Sequence, residues 1–346
     1  MTIFDLMQSQ ELVAYWEELV KDEAPYPCEE LFPVQKKRGL DLKWIKGARG
    51  LPVVLKTSAF DAAAIPRARI GFSAMQMQMP YFKESMYIDE ELRQELNIVL
   101  ETGNTAYIDA VMNRIFDDET KLLRGARASR ERMRMMALTT GVIVMANNGQ
   151  AFSYDYGIPA SNKVDASVAW SDYTNSDPIK DIRALRNHIR DTTGVVCTRA
   201  MCDSTVLDHI MNNSKIKTAI YAMRSNIGEI SEDEAIRYVQ NRTKVRIYVN
   251  DYRYADEDGA TQSFMPVNTF VMFPAGPLGN TWFGTTPAES DLMTGAAANV
   301  TITDTGVAVV TAKKIDPVNV ETIVSMICLP SFEQADHIGI IDITGA

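Results

Sequence analysis

The chain has 346 residues, a hydrophobic fraction of 46% and a formal net charge of -10. This length is enough for about two domains with a sizeable core, and the ordinary shares of charged and aromatic residues argue against wholesale disorder. No segment approaches the ~20 apolar residues of a membrane helix, and the N-terminus lacks the pattern of a secretion signal. We therefore expect cytoplasmic folding and no membrane partner.

Charge is sorted into blocks along the chain. Residues 1–35 carry eight acidic side chains against one basic, residues 36–69 carry nine basic against two acidic, and residues 251–346 carry twelve acidic against three basic. Blocks of opposite sign can attract a second copy of the chain through complementary fields. Solvated faces without a partner are an equally good explanation. Both interpretations stay open at this point.

The first predicted element is an amphipathic helix over residues 4–20, which Pro25 and Pro27 stop. Residues 47–85 then contain a strand-like run, LPVVLKTSAF, and a later run in which methionine alternates with glutamine. Two such strands joined by a polar, basic tip predict a long hairpin. Because a two-stranded hairpin is only marginally stable alone, it needs another surface, either its own domain or a neighbouring copy.

Two helices are predicted next, one over residues 89–103 and one from about Thr105 to about Leu138. At 1.5 Å per residue the second helix would be roughly 50 Å long, which is typical of a rigid beam. Its C-terminal half is rich in arginine. A solvated face and a contact with the acidic side chains of a neighbour are the alternative interpretations of that half.

The rest of the chain predicts a mixture of helices and strands. GVIVMANNGQAFSYDY is a hairpin that turns at Asn148-Gly149. A helix begins at Asp177-Pro178 and ends near Gly194, and a buried strand follows at residues 195–197. Another helix starts at Asp203, and Ser231 with Glu234 forms the capping box of the next one.

The last part of the sequence is rich in strands. KVRIYVNDYRY and NTFVMFP flank the acidic turn ADEDGA, and VTITDTGVAVVTAKK and VETIVSMICLP close the chain as strands. Helices and strands that occur in separate runs indicate an α+β fold.

Catalytic and metal-binding patterns are weak. The four cysteines form no CxxC pair and the three histidines are scattered, so we expect reduced, mostly buried thiols. A Cys–His nucleophile would need Cys197 or Cys202 near His188 or His209, but both thiols lie beside predicted buried elements. The glycines of PAGPLGNTWFG lack a phosphate-loop lysine, and the acidic turn lacks a calcium-loop pattern. We predict no catalytic, cofactor-binding or metal-binding residues, and no enzyme activity.

Four segments carry a resemblance to a known family. GQAFSYDYGIP follows the long helix, AWSDYTNSDPIKDIRAL leads into a helix that begins at Asp-Pro, FMPVNTFVMFP contains a Pro-x-Asn-Thr strand pattern, and IDPVNVETIVSMICLPSFEQADHIGIIDI closes the chain. Together with the acidic arm, the basic hairpin and the long helix, they resemble the major capsid proteins of tailed phages, in particular the lambda-type major head protein family. That family has the fold named after phage Hong Kong 97.

The resemblance implies an α+β, Hong Kong 97-like capsid fold. Its parts would be an N-terminal arm (1–46), an extended β-hairpin loop (47–86), a discontinuous peripheral domain (87–176 and 297–346) built on the long spine helix, and an axial domain (177–296). The implied function is a bacteriophage major capsid protein that assembles in the host cytoplasm as hexamers and pentamers of an icosahedral virion shell around double-stranded DNA. Implied partners are other copies, a portal protein and a separate scaffolding protein.

Six basic residues are the candidates for contacts between subunits: Lys56, Arg67 and Arg69 in the loop, and Arg124, Arg127 and Arg130 in the long helix. Relatives of this fold include some that cross-link a loop lysine, but no partner for Lys56 is identified. An encapsulin-type compartment has the same shell architecture and is the alternative function. Nucleic-acid binding is less favoured, because the sequence pI is about 5.0.

Overall fold

The computed structural model describes residues 8–46, 73–88, 105–147, 149–223, 230–292, 298–315 and 318–345, with the single residues 90, 94 and 98. The described α-helices are α1 (Ser9–Lys21), α2 (Pro27–Leu31), α3 (Thr105–Thr140), α4 (Pro178–Thr193), α5 (Ser204–Asn212), α6 (Ser214–Ala222) and α7 (Glu232–Thr243). None of the described helices is both long and apolar enough to cross a membrane.

The described strands complete the element order. They are β1 (Val34–Lys36), β2 (Asp41–Lys46), β3 (Ser73–Gln78), β4 (Tyr81–Tyr87), β5 (Val142–Asn147), β6 (Gln150–Asp155), β7 (Lys163–Asp165), β8 (Arg199–Cys202), β9 (Arg246–Val249), β10 (Arg253–Ala255), β11 (Thr261–Ser263), β12 (Thr269–Phe273), β13 (Asn280–Phe283), β14 (Asn299–Thr303), β15 (Val307–Ile315), β16 (Val318–Ser331) and β17 (Gly339–Asp342). Helices and strands in these proportions confirm the predicted α+β class.

Internal contacts divide the chain into two units, and each is made of separated stretches. The first unit comprises residues 1–42, 76–133 and 280–331, and the second comprises residues 43–75, 134–279 and 332–346. The long helix α3 therefore begins in the first unit and ends in the second.

A sheet organises the first unit. Its strand order is β1-β13-β16-β15-β14, and β4 also pairs with β16. The long strand β16 is antiparallel to β4, β13 and β15. Helix α1 packs on β14, where the Ser9 and Thr301 hydroxyls hydrogen-bond at 2.8 Å. Because Leu12 and Trp16 are buried and Tyr15 and Leu19 are half-buried, the predicted amphipathic helix is confirmed over its described part.

The segment predicted as an arm is tied to the body of the first unit. Strand β1 runs parallel to β13, with Val34 opposite Thr281. Strand β4, at the end of the segment predicted as a loop, pairs with β16 from Tyr81 to Tyr87. Both stretches thus belong to the sheet of their own chain.

Only the C-terminal part of the predicted basic hairpin, residues 73–85, is described. Strand β3, which contains the methionine alternation, pairs with β2. Met75 and Met77 are partly buried and Gln76 and Gln78 are exposed, as expected for a half-buried strand. The run LPVVLKTSAF, expected as the partner strand, lies outside the described residues, and so do Lys56, Arg67 and Arg69.

The prediction of a very long helix is confirmed. Helix α3 has 36 residues and is therefore about 54 Å long at 1.5 Å per residue. Most of the helix predicted at 89–103 lies outside the described residues. Glu90, Gln94 and Ile98, the three that are described there, are helical and exposed.

The second unit is built on a five-stranded sheet in the order β7-β17-β12-β8-β9. A core of buried side chains lies on one face of this sheet, where Ile182, Val206 and Val239 of the helices meet Phe270 of β12. The other face of the sheet buries Met201 and Val271, and the Asn250 amide lies between the sulfur atoms of Met135 and Met201.

Local signals in the second unit were predicted well. The Asp177 carboxylate accepts a hydrogen bond from the backbone N–H of Lys180, and α4 ends at Gly194 with φ +75°. The Ser231–Glu234 capping box of α7 is present. The β5–β6 hairpin pairs Asn147 with Gln150, and Gly149 has φ +72°, as expected for the predicted Asn-Gly turn, of which Asn148 lies outside the described residues.

Two strand predictions in this unit are wrong in position. The strand expected at residues 195–197 is β8, which begins at Arg199, because the Cys197 carbonyl accepts from the Arg186 side chain instead of from a neighbouring strand. KVRIYVNDYRY is broken into β9 and β10 at Asn250, whose side chain accepts from the Tyr252 N–H. The acidic turn therefore joins β10 to β11, and NTFVMFP contributes β12 to the larger sheet.

Two glycines of the first unit should respond to substitution in opposite ways. A Cβ on Gly306 would lie 2.5 Å from the Phe283 ring, so Gly306→Ala should destabilise the protein by about 1–3 kcal/mol. Gly125 is exposed within α3 with nothing close to its missing Cβ, so Gly125→Ala should stabilise by about 0.5–1 kcal/mol. Urea unfolding measures both changes. Equal effects of the two substitutions would contradict this packing.

Candidate functional site

The arginine-rich part of α3 forms the most extensive polar cluster of the first unit. Arg124, Arg127 and Arg130 recur every three residues and Glu131 follows, so the four side chains lie along neighbouring turns of one helix. Their partners come from residues 23–29, within the predicted arm, and from the turn between β14 and β15.

Arg127 is the centre of this cluster. Its guanidinium contacts Glu23 at 2.9 Å and Glu29 at 3.1 Å, and it donates to the Ala24 carbonyl at 3.3 Å. The same group lies over the Tyr26 ring, 5.0 Å from its centroid. Burial alone would lower the pKa of Arg127, but the hydrogen bond to Glu29 and the charges of Glu29 and Glu23 raise it above its ordinary value. The arginine is thus a permanent, buried and paired charge.

Two further contacts tie the same segment to α3. Glu131 accepts a hydrogen bond from the backbone N–H of Cys28 at 2.9 Å, which satisfies a free N–H in the first turn of α2 and places a carboxylate near the positive end of that helix. Arg124 reaches Glu23 at 3.3 Å, but its side chain is 51% exposed. Residues 23–29 are therefore held by charge and by backbone hydrogen bonding.

Arg130 also forms a buried ion pair, with the turn between β14 and β15. Its guanidinium contacts the Asp304 carboxylate at 2.6 Å and lies over the Phe283 ring. Asp304 and Thr305 have φ values of +46° and +72°, a left-handed conformation that is unfavourable for residues other than glycine. The ion pair thus holds a strained turn between β14 and β15 in place.

The sequence suggested that the helix arginines form either a solvated face or a contact with acidic side chains of a neighbouring copy. Within the single chain, Arg127 and Arg130 do neither. Their side chains are 8% and 6% exposed, so they are not a solvated face, and their described partners are acids of the same chain. Contact of the three arginines with a second copy stays a prediction. The sequence alone gave no signal for Glu23, Glu29 or Asp304 as partners, because about a hundred residues or more separate them from α3.

The expectation of buried thiols is confirmed, since Cys28, Cys197, Cys202 and Cys328 are all free and buried. Burial raises the pKa of Cys197 to about 12 and raises that of Cys202 further, so neither thiol forms a reactive thiolate at neutral pH. Cys197 donates instead to the His337 carbonyl at 3.3 Å.

The acidic turn at residues 255–260 is held by hydrogen bonds to its own backbone. The Asp256 carboxylate accepts from the N–H groups of Asp258 and Ala260, which is how an Asx turn holds its own backbone. Within the described residues, no group of three or more His, Cys, Asp or Glu side chains is arranged to hold a metal ion.

Substitution of Arg127 should be much more damaging than substitution of Arg124. Arg127→Met leaves Glu23 and Glu29 partly buried without their main counter-charge, which should cost about 3–5 kcal/mol of unfolding free energy. Arg124→Met removes an exposed ion pair and should cost no more than ~1 kcal/mol. Urea unfolding at pH 7 compares the two variants. If they were equally stable, the cluster would not anchor residues 23–29.

Three solved structures have a similar fold over nearly the whole chain. A protein described as a prophage capsid protein of E. coli CFT073 has a TM-score of 0.60 at 14% identity, covering 97% of this chain and 99% of that one. A phage-related protein of Bordetella bronchiseptica RB50 has a TM-score of 0.59 at 14% identity, covering 98% of each chain. The capsid asymmetric unit of cyanophage A-1(L) has a TM-score of 0.51 at 11% identity, covering 90% of each.

At these identities the likeness concerns the fold, and it confirms the predicted capsid fold. No curated protein gives a significant match to the sequence. The profile of the family described as phage major capsid protein E matches residues 44–341, which is most of the chain. This chain therefore belongs to the phage major capsid protein E family.

Proposed function

We propose that this chain is the subunit of a phage head shell, which self-assembles as hexamers and pentamers into an icosahedral capsid around double-stranded DNA. The observation that carries the proposal is the family match over residues 44–341. The same match favours a phage head over an encapsulin-type compartment. Membership of the lambda-type group within the family stays a prediction from the segments quoted above.

We also propose the division of labour that the resemblance implies. Residues 1–46 form the arm, 47–86 the extended loop, 87–176 with 297–346 the peripheral domain, and 177–296 the axial domain around the fivefold and sixfold centres. The role of the chain is then structural and not enzymatic. Other copies, a portal protein and a separate scaffolding protein are the proposed partners, and the virion, assembled in the host cytoplasm, is the proposed location.

The described root of the loop supports a reaching role. Lys46, the last described residue before the loop, bonds to Asp336 at 2.9 Å and to the Gly157 carbonyl. The nearby Trp44 ring lies 5.8 Å from the Tyr156 ring. All five residues belong to the second unit, so the chain is fixed in that unit up to Lys46.

The loop arginines are better candidates for contact between copies than the helix arginines. Arg127 and Arg130 already have acidic partners in their own chain. The block of residues 36–69 has a net charge of +7 from its sequence, so Lys56, Arg67 and Arg69 add to a strongly positive segment. We propose that this segment contacts acidic side chains of a second copy.

Acidic surface is present to receive such a segment. Glu11, Glu17, Glu18 and Asp22 are exposed on and beside α1. One exposed ion pair contributes roughly 0–1 kcal/mol, so a single contact would be weak. A closed symmetric shell repeats the contact many times, and the sum becomes decisive.

Charge reversal in the loop tests the proposal. The double variant Arg67→Glu with Arg69→Glu should remain as unassembled subunits, because like charges would then face each other. Sedimentation velocity and negative-stain microscopy measure assembly, and circular dichroism with thermal unfolding checks that the subunit is folded.

A matched control carries the same change of charge elsewhere. Lys180→Glu with Arg183→Glu alters two exposed basic side chains of α4 and should assemble like the unmodified chain. If the loop variant assembled into normal shells, the proposed contact between the basic loop and a second copy would be wrong. Failure of both variants would show that total charge, and not the loop, controls assembly.

A further inference from the structure

A buried carboxyl group lies in the first unit, where α3 meets the sheet. Glu119 is 2% exposed, and its neighbours along α3 include the buried side chains of Ile115, Leu122 and Leu123. Neither carboxyl oxygen has a hydrogen bond of standard geometry within the described part of the chain. The Thr322 hydroxyl on β16 is close enough to influence this carboxyl.

The sheet surface below Glu119 contains further polar groups. Thr311 on β15 is paired directly with Thr322, so both hydroxyls belong to one sheet face. Both are buried, and neither makes a standard hydrogen bond among the described residues. Burying a polar group without a partner is unfavourable, and burying a charged one is far more so. This arrangement is therefore stable with a neutral acid and unstable with a carboxylate.

We propose that Glu119 is a proton-controlled lock of the first unit: as a neutral acid it holds α3 on the sheet, and loss of its proton loosens that contact. The neutral acid is tolerated in this apolar site, whereas the Thr322 hydroxyl favours the carboxylate and offsets only part of the cost of burying its charge. Ionisation leaves a poorly compensated charge in that site. The lock is independent of the proposed shell function.

The charged groups around Glu119 give it little compensation. On its own helix, Asp118 adds a like charge, while Lys121 binds Asp118 at 2.7 Å at the surface. Lys313 on β15 is paired with Val320, and Glu84 on β4 is paired with Val324, the two positions next to Thr322 on the same sheet face. Both charged side chains are exposed. From α1, Tyr15 donates to Asp117 and not to Glu119. No buried cation among the described residues of these elements faces the acid.

Burial sets the pH range of the lock. It raises the pKa of Glu119 from its ordinary value to about 7, the charge of Asp118 adds slightly, and Thr322 opposes the shift. Since the folded pKa lies above the unfolded one, the stabilisation is complete below about pH 4.5 and is lost as the pH rises through 7. Alkaline conditions should therefore loosen α3, and with it the anchoring of residues 23–29 by Arg127.

Native-state hydrogen exchange of the purified, unassembled chain tests the lock, with amide protection of α3 corrected for the intrinsic pH dependence of exchange. Between pH 5 and pH 8, protection of the wild-type helix should fall on the order of 100-fold more than in Glu119→Gln, which mimics the neutral acid. The control Glu84→Gln, an exposed acid on the same sheet face, should behave like the wild type.

The same pH response in wild type and Glu119→Gln would overturn the proposal. If Glu119→Gln does not fold, Thr322→Val decides the matter, because it removes the hydroxyl that helps the carboxyl to ionise. Thr322→Val should raise the pH at which protection is lost. An unchanged or lower transition in that variant would equally rule out the lock.

Discussion

The ion pairs of Arg127 with Glu23 and Glu29 are the interaction on which the first unit depends. A buried guanidinium is tolerated only when acidic groups and carbonyl oxygens surround it. Burial of Arg127 in α3 therefore depends on Glu23 and Glu29 being in contact with it. This requirement fixes the segment that follows α1 and so helps to place α1 on β14. From Phe32 onward the chain continues into β1, whose pairing with β13 brings the arm region into the sheet of the unit.

Helix α3 contains two kinds of buried ionisable group, and their charges are balanced in different ways. At Arg127 and Arg130 the charge is permanent, and the chain supplies acidic partners for it. At Glu119 the charge is optional, since a carboxyl can take up a proton, and no buried cation in the described parts of α3 and the sheet faces it. A helix of 36 residues thus has a rigid connection along one stretch and a conditional one about two turns earlier. The strained turn at Asp304 depends on the rigid part, because Arg130 holds its carboxylate.

The sequence predicted those features that depend on neighbouring residues. Asp177 caps α4 and Gly194 ends it because both signals act within a single turn of helix. The Asn-Gly turn of β5–β6 is equally local. The pairing of β3 with β2 and the acids around Arg127 were not predicted, because they depend on which distant segments meet, and one sequence without relatives contains no record of that. The strand expected at residues 195–197 was wrong for a related reason. The apolar run that ends at Cys197 is typical of a buried strand, but the Cys197 carbonyl accepts a hydrogen bond from the distant Arg186 side chain.

The pairing of charges within one chain has a consequence for assembly. Arginines that are satisfied internally add little attraction for a second copy, since breaking a buried pair is unfavourable and the exposed remainder is screened by salt. In the proposed assembly, long-range attraction between subunits then comes from charge that is not paired within one chain. The sequence concentrates its excess of positive charge in residues 36–69 and its excess of negative charge at the two ends. A shell subunit built in this way keeps its own body together with buried pairs and meets its neighbours through weaker, repeated contacts, which allows misplaced copies to dissociate before the shell closes.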